Sequence, residues 1–173
     1  MTLVRIATVQ DADAIAHVHV QAWRTTYAGI VPEAYLDGLD ESKRAASWRE
    51  QLINHVEVFV ADSDDEIVGF ACGGLIREPL PGCDAELYAI YVLKHAQGRG
   101  IGTALLEAVT ESLRASGLRS MAVWVLERNA SSSFYQRSGA SLVSTSKKEI
   151  EIGGAVLPLS AYMWPDLTAI PST

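Results

Sequence analysis

The sequence is poor in cysteine and in positive charge, and both scarcities exclude classes of protein. Its 173 residues include two cysteines, Cys72 and Cys83, which lack zinc-ligand spacing and cannot form a disulfide framework. We therefore expect a reducing, cytoplasmic compartment. The 14 lysines and arginines are outnumbered by 21 aspartates and glutamates, for a formal net charge of −7. Because phosphate binding needs clustered cations, a nucleic-acid partner is not expected.

Long apolar runs are also missing from the sequence. No stretch is long enough to span a bilayer, and the first ten residues lack the apolar core of a signal peptide, so we expect no membrane contact. No cluster of histidine, cysteine and carboxylate residues predicts a metal site, and no Gly-x-Ser-x-Gly elbow predicts a serine hydrolase. The length predicts one domain over residues 1–167, followed by a frayed tail over residues 168–173.

The most informative segment that is present covers residues 97–102, Gln-Gly-Arg-Gly-Ile-Gly. It follows an apolar strand pattern over residues 86–93 and precedes a helical pattern over residues 103–115. Without a Cβ atom, glycine lets backbone N–H groups approach a phosphate, and a helix N-terminus adds positive potential. The segment therefore predicts an anion-binding turn, although the residues alone leave open a glycine-rich connection without a ligand.

Three glycine-rich motifs compete for this segment. A P-loop needs a lysine that the turn does not contain, and a dinucleotide fingerprint needs a third glycine where Thr103 stands. The pattern Gln/Arg-x-x-Gly-x-Gly/Ala is matched by Gln97, Gly100 and Gly102. That pattern resembles the acetyl-coenzyme A pyrophosphate loop of the GCN5-related N-acetyltransferases, the GNAT superfamily.

The order of predicted elements supports the same resemblance. Hydrophobic periodicity predicts the order β-α-α-β-β-β-α-β-α-β-β, including a helix over residues 42–53 capped by Ser42 and a strand over residues 121–126. The helix over residues 103–115 is expected to face the sheet through Leu105, Leu106, Val109 and Leu113. The strand over residues 86–93 barely alternates and is expected to be buried on both faces. A Rossmann sheet would alternate strands and helices regularly. The order is similar to the GNAT fold, most strongly over residues 86–140, and the chain is identified as a member of that superfamily.

The resemblance implies an α/β (α+β) single-domain fold with a mixed, mostly antiparallel sheet of about seven strands and about four or five helices. It also implies that the fourth strand is bulged and diverges from the fifth. Acetyl-coenzyme A is expected to lie between these two strands, and no metal is expected to take part. The cofactor-binding residues it implies are Ile90, Tyr91, Val92, Gln97, Gly98, Arg99, Gly100, Ile101, Gly102, Thr103, Asn129, Ser132 and Tyr135.

Two residues carry the catalytic roles that the resemblance implies. Tyr135 is expected to protonate the departing thiolate, a task that suits a phenol because it stays neutral at pH 7. Glu86, eleven residues before Gln97, is expected to be the general base, directly or through water. The alternatives are that Tyr135 is a core aromatic, that Asn129 is only a helix cap, and that Glu86 is a solvated strand-end residue. The nearby Asp84 is a rival candidate for the base.

The acceptor is the part of the reaction on which the sequence is least informative. Trp23 and Tyr27 share a helix face and are candidate substrate-binding residues, although Trp23 also suits simple packing. The function implied is transfer of an acetyl group to a primary amine by direct attack, through a tetrahedral intermediate. A non-catalytic acyl-coenzyme A sensor and a protein or peptide N-acetyltransferase remain alternatives. The apolar hairpin over residues 156–164 is a candidate homodimer contact.

Overall fold

Seven strands form one mixed sheet in the order β1-β2-β3-β4-β5-β7-β6. The structure is a computed structural model and describes residues 2–170. The strands are β1 (Thr2–Ile6), β2 (Val58–Ser63), β3 (Glu66–Leu75), β4 (Ala85–Val92), β5 (Met121–Leu126), β6 (Ser141–Ile152) and β7 (Ala155–Trp164). The helices are α1 (Ala12–Thr26), α2 (Glu33–Asp37), α3 (Glu41–Ile53), α4 (Ile101–Ala115) and α5 (Ser132–Arg137).

The sheet is antiparallel except where β4 and β5 run parallel to one another. Helices cover both faces, with α1 and α3 on one face and α4 on the other. The predicted fold class, with about seven strands and four or five helices, is therefore confirmed. Within residues 2–170, every helix is too short or too polar to cross a membrane.

Helix α3 begins at a different cap from the one predicted. The sequence pattern favoured Ser42, but the carboxylate of Asp40 accepts a hydrogen bond from the backbone N–H of Lys43 at 3.0 Å. Both residue types are good caps, and a carboxylate additionally interacts favourably with the positive end of the helix dipole. The helix therefore starts at Glu41, one residue earlier than predicted.

Helix α4 packs closely against the sheet because β3 carries glycines beneath it. The predicted apolar face of α4 is buried, including Leu105 and Val109. A Cβ atom at Gly69 would lie 3.1 Å from Leu105 Cδ1, and one at Gly73 would lie 3.0 Å from Val109 Cγ1. The glycines therefore allow a helix-to-sheet distance that larger residues would increase.

Strand β4 is bulged and then diverges from β5. Across from β3, Cys72 pairs with Ala89 and the next residue, Gly73, pairs with Leu87, so Tyr88 is the extra residue of a bulge. Pairing between β4 and β5 is confined to their first residues, Ala85 with Met121 and Glu86 with Ala122. The prediction that β4 is buried on both faces was wrong beyond Leu87, because residues 88–92 border a gap in the sheet.

Regular secondary structure continues past the last strand. Leu167–Ala169 form a single 3₁₀ turn in which Leu167 is buried, and the Asp166 carboxylate accepts a hydrogen bond from the Thr168 backbone at 2.9 Å. Ile170 packs against the core. The frayed tail over residues 168–173 stays a prediction, and residues 171–173 lie outside the described part of the chain.

Candidate active site

A cleft of about 650 Å³ passes through the sheet where β4 and β5 separate. Val123 and Val125 line it from the α4 side of β5, whereas Tyr27 and Trp124 line it from the opposite side. Most of the residues implied as cofactor-binding meet here. Those that line the cleft are Ile90, Tyr91, Val92, Gln97, Gly98, Gly100, Gly102, Thr103, Asn129 and Tyr135.

The glycine turn forms one end of the cleft. Gly98 and Gly100 have left-handed backbones, with φ of +75° and +80°, and nothing lies within 4 Å of a Cβ atom built at either position. Gly100 is the N-cap of α4, whose first backbone N–H groups have no acceptor within the helix. The turn therefore leaves room for an anion beside N–H donors and the positive end of a helix.

Three residues implied as cofactor-binding do not line the cleft. Ile101, the first residue of α4, is buried in the core. Arg99 is exposed on the turn, and Ser132 is half-buried at the start of α5. The sequence pattern placed them beside the ligand because their neighbours are there. Successive residues of a tight turn, or of the first turn of a helix, point in different directions. The neighbour of a residue that lines the cleft therefore need not line it.

Gln97 and Asn129 both have local structural partners. Gln97 Nε2 donates to the carbonyl oxygen of Val92 at 3.0 Å, which ties the turn to the end of β4. Asn129 Oδ1 accepts from the backbone N–H of Ser131 at 2.9 Å. Asn129 therefore has the capping role that was considered from the sequence. Its side-chain NH2 group takes no part in that hydrogen bond, and the residue also lines the cleft.

Tyr135 lies where core and cleft meet. Its ring packs edge-on against Trp164, with centroids 6.0 Å apart, and the residue also lines the cleft. Burial raises the pKa of its phenol well above the usual range. A phenol in this setting stays protonated at neutral pH, so it can donate a hydrogen bond or a proton into the cleft.

A pair of phenols lies at the opposite end of the cleft. The hydroxyls of Tyr27 and Tyr91 are 3.2 Å apart, and burial raises the pKa of both groups. Trp23 is not part of the cleft lining. Its ring packs edge-on against Tyr27 with centroids 4.7 Å apart, so it supports the wall of the cleft.

Glu86 is buried and bound to a cation that the sequence analysis did not consider. Its carboxylate accepts hydrogen bonds from Arg77 Nε at 3.1 Å, from the Arg77 backbone N–H at 3.3 Å, and from Arg77 Nη2. Glu86 does not line the cleft. The alternative of a solvated strand-end residue is wrong, because the side chain is 4% exposed.

Several cleft residues were missed by sequence reasoning. Trp124 follows from strand alternation, since Val123 and Val125 face α4 and Trp124 must face the other way. Arg137, an exposed cation beside the cleft, lies one turn beyond Ser133 on α5. The residues missed include Tyr88, Trp124, Phe134, Arg137 and Ile170. Among residues 2–170, no group of histidine, cysteine and carboxylate side chains is arranged to hold a metal.

A gap between two parallel strands, with an anion site at one end and a buried phenol beside it, suits an extended acyl-coenzyme A and defines an acyltransferase. The sequence model of the acetyltransferase (GNAT) family matches residues 19–140. The chain belongs to that family and is an acetyl-coenzyme A-dependent N-acetyltransferase. The resemblance seen in the sequence is thereby confirmed.

Individual relatives agree with this assignment. The chain is 42% identical over 171 residues to the uncharacterized N-acetyltransferase YuaI of Bacillus subtilis, covering 98% of this chain and 96% of the relative. It is 25% identical over 147 residues to a spermidine N(1)-acetyltransferase of Thermoplasma acidophilum, covering 82% and 89%. The solved structure of yncA from Salmonella typhimurium with its cofactor acetyl-CoA has a TM-score of 0.71 at 21% identity, covering 96% and 94%.

The residues present fit the co-substrate. Both glycines of the turn leave open space where a side chain would block a pyrophosphate. The edge of β4 beyond Glu86 has no partner in β5, so its backbone groups are free to pair with an extended pantetheine arm. When bound, acetyl-coenzyme A supplies the activated acetyl thioester.

Proposed function

We propose that the acceptor is a primary amine on a small molecule, which attacks the acetyl thioester directly. The observation that supports this proposal is the packing around Tyr27, which lines the cleft. Helices α1 and α2 pack there against the β6–β7 hairpin in one apolar cluster that includes Tyr27, Leu36 and Ile152. A peptide acceptor would need an open groove beside Tyr27, and we propose that this contact leaves no such groove.

Contact between the hairpin and α2 is tight as well as apolar. Gly153, in the turn of the hairpin, has φ of +59°, and a Cβ atom there would lie 2.7 Å from Cβ of Tyr35. The hairpin tip therefore rests on α2 at a distance that only glycine permits. This packing supports a small, enclosed acceptor site bordered by Tyr27, Tyr88 and Trp124.

Tyr135 is the proposed acid. Attack by the amine forms a C–N bond and expels the coenzyme as a thiolate, which accepts a proton or a hydrogen bond from the phenol. Backbone groups of β4 that face the gap, in residues 90–92, are the proposed donors to the oxyanion of the tetrahedral intermediate. Both roles concern residues that line the cleft, and no covalent enzyme intermediate is required.

We assign the amine's proton to water and give Glu86 a positioning role. Its carboxylate is satisfied by Arg77, whose guanidinium carbon lies 4.5 Å from the ring centroid of Tyr88. Tyr88 in turn lines the cleft, and its hydroxyl donates to the Leu75 carbonyl at 2.6 Å. Through these contacts Glu86 holds the bulge of β4 in shape, which places the backbone donors of that strand.

A panel of acceptors tests the proposal. Release of free thiol from acetyl-coenzyme A is measured with small primary amines, amino acids, spermidine and lysine-containing peptides; spermidine is included because one relative is named for it. We expect at least one small amine to be turned over and peptides to be poor acceptors. Efficient acetylation of peptides alone would contradict enclosure. Slow hydrolysis without stimulation by any amine would instead favour a non-catalytic sensor.

A further inference from the structure

The chain places one of its own primary amines against the acceptor end of the cleft. Lys148 is on β6, opposite Leu159 of β7, which is itself opposite Leu126 of β5. Its side chain crosses β7, and Nζ lies 4.2 Å from the ring centroid of Trp124. Trp124 also lines the cleft, so this amine lies against a ring that forms part of the cleft wall.

Two weak contacts hold the amine in this position. Nζ lies over the Trp124 ring and 3.1 Å from Oε1 of Glu78, whose side chain is 64% exposed. An exposed ion pair and one cation–π contact restrain a lysine only modestly. Because the side chain has four methylene groups with rotatable bonds, Nζ can leave the ring and sample positions around the edge of Trp124.

We propose that Lys148 is a site of self-acetylation, a modification that rests on the amine acetyltransferase function proposed above. Nζ loses one proton to water, attacks the acetyl carbonyl of bound acetyl-coenzyme A, and loses a second proton to water from the tetrahedral intermediate, and water later returns a proton to Tyr135. The new bond is Nζ–C, the bond broken is C–S, and the departing thiolate takes a proton from Tyr135. The products are Nε-acetyl-lysine at position 148 and free coenzyme A.

The modification has a structural consequence at the same place. Acetylation removes the positive charge, so both the ion pair with Glu78 and the cation–π contact with Trp124 are lost. A neutral amide then borders the acceptor end of the cleft. The side chain of Lys148 is 29% exposed, and the acetyl group enlarges a residue already packed against that wall.

Lys147 is a matched control provided by the chain itself. It is the preceding residue on β6 and therefore faces the other side of the sheet, where Nζ lies 3.1 Å from Oε1 of Glu127. Its side chain is 66% exposed, about twice the exposure of Lys148. Uncatalysed chemical acetylation favours the more accessible amine, whereas acetylation from the cleft favours Lys148.

The experiment incubates the full chain with acetyl-coenzyme A and maps acetylated lysines by mass spectrometry. We expect acetylation at Lys148 to exceed that at Lys147 by about tenfold or more, because an amine held beside the thioester reacts at high effective concentration. The fraction modified should not depend on protein concentration. It should disappear in Gly100→Glu, which blocks the proposed cofactor turn, and in Lys148→Arg.

Equal acetylation at the two lysines, or acetylation of Lys148 that survives Gly100→Glu, would overturn the proposal. So would a Lys148 that stays unmodified while an added amine is acetylated, and that result would leave the proposed function intact. If neither Lys148 nor any amine is acetylated although acetyl-coenzyme A binds, both proposals fail, and the fault lies in the amine acetyltransferase assignment.

Discussion

Arg77 covers Glu86 in an ion pair whose two members differ sharply in exposure. The side chain of Glu86 is 4% exposed, whereas that of Arg77 is 63% exposed. Arg77 also donates its backbone N–H to the same carboxylate, and its guanidinium rests on the ring of Tyr88. A buried carboxylate therefore depends on a cation that solvent can reach, which makes the consequences of losing either partner unequal.

Replacing the exposed partner is predicted to be the costlier change. Arg77→Met leaves a buried carboxylate without its side-chain donors, and we expect the free energy of unfolding to fall by about 2–3 kcal/mol. Glu86→Gln leaves a neutral acceptor that Arg77 can still reach, so we expect a loss of about 1 kcal/mol or less. Urea denaturation at pH 7 measures both. Equal losses would contradict this ranking.

Glu86→Gln also separates a positioning role from a general base. If Glu86 positions the β4 bulge, the dependence of kcat/KM on pH keeps its shape and the rate falls by about tenfold or less. The Asp84→Asn variant is the control, because Asp84 is the neighbouring carboxylate considered from the sequence. Disappearance of the acidic limb in Glu86→Gln alone would make Glu86 the base.

Tyr135→Phe is predicted to reduce turnover while leaving cofactor binding nearly unchanged. The ring contacts with Trp164 are retained, but the cleft loses its phenolic proton. We expect kcat to fall by about a hundredfold, within the range for loss of a general acid. Calorimetric titration with acetyl-coenzyme A provides the comparison. Unchanged turnover would remove Tyr135 from the acid role.

Gly100 and Gly117 offer a matched test of the glycine turn. Both have left-handed backbones, with φ of +80° and +83°, and neither has an atom within 4 Å of a Cβ built on it. Alanine at either position should therefore cost about 1 kcal/mol of stability through backbone strain alone. Only Gly100→Ala should weaken acetyl-coenzyme A binding, and Gly100→Glu should abolish it by adding bulk and negative charge. Similar affinities in Gly100→Ala and Gly117→Ala would refute the turn assignment.

His19 should make the protein less stable in mild acid. It is half-buried among aromatic rings, and desolvation, with a smaller effect of the Arg44 charge, lowers the pKa of its imidazole from 6.5 to about 3. Because the unfolded chain binds this proton more readily, the stabilising contribution is complete above pH 6.5 and is lost progressively towards pH 3. The slope from this group approaches about 1.4 kcal/mol per pH unit.

The matched variant is His19→Gln, which keeps an acceptor for the Trp48 indole N–H that now donates to Nδ1 at 3.2 Å. We expect unfolding free energies of the variant and the parent to run parallel above pH 7. Between pH 6 and pH 4 the parent should lose stability more steeply. The same slope in both proteins would show that another group causes the acid sensitivity. Asp11 acts at lower pH, because Arg5 lowers the pKa of that carboxyl to about 2.

Much of the fold follows from local patterns that survive tertiary packing. The apolar face of α4 and the full extent of β5 are where periodicity predicts them, because burial of an amphipathic face selects the same elements that propensity favours. The errors concern element ends. The cap of α3 depends on which polar side chain reaches the first backbone N–H groups of the helix, and hydrophobic periodicity carries no information about that contact.

Some residues of the candidate site are likewise predictable from the sequence and others are not. Gly98 and Gly100 can be recognised from the sequence, because only glycine occupies their left-handed conformations without strain. Arg77 gives no comparable signal. It lies nine residues from Glu86 along the chain, and only the β3–β4 connection brings the two together. The same holds for Trp124 and Lys148, whose contact depends on the pairing order of β5, β7 and β6.

The sequence by itself determined the family and the helix that begins at the glycine turn, and it predicted that Tyr135 lies beside the coenzyme A site. These depend on short motifs whose backbone conformation is a local property. Only the tertiary structure decided that Glu86 is held by Arg77, that the hairpin tip closes on Tyr35, and that Lys148 lies on Trp124. Each of these is a contact between distant segments, and its distance is set by how the strands register and where β4 leaves β5.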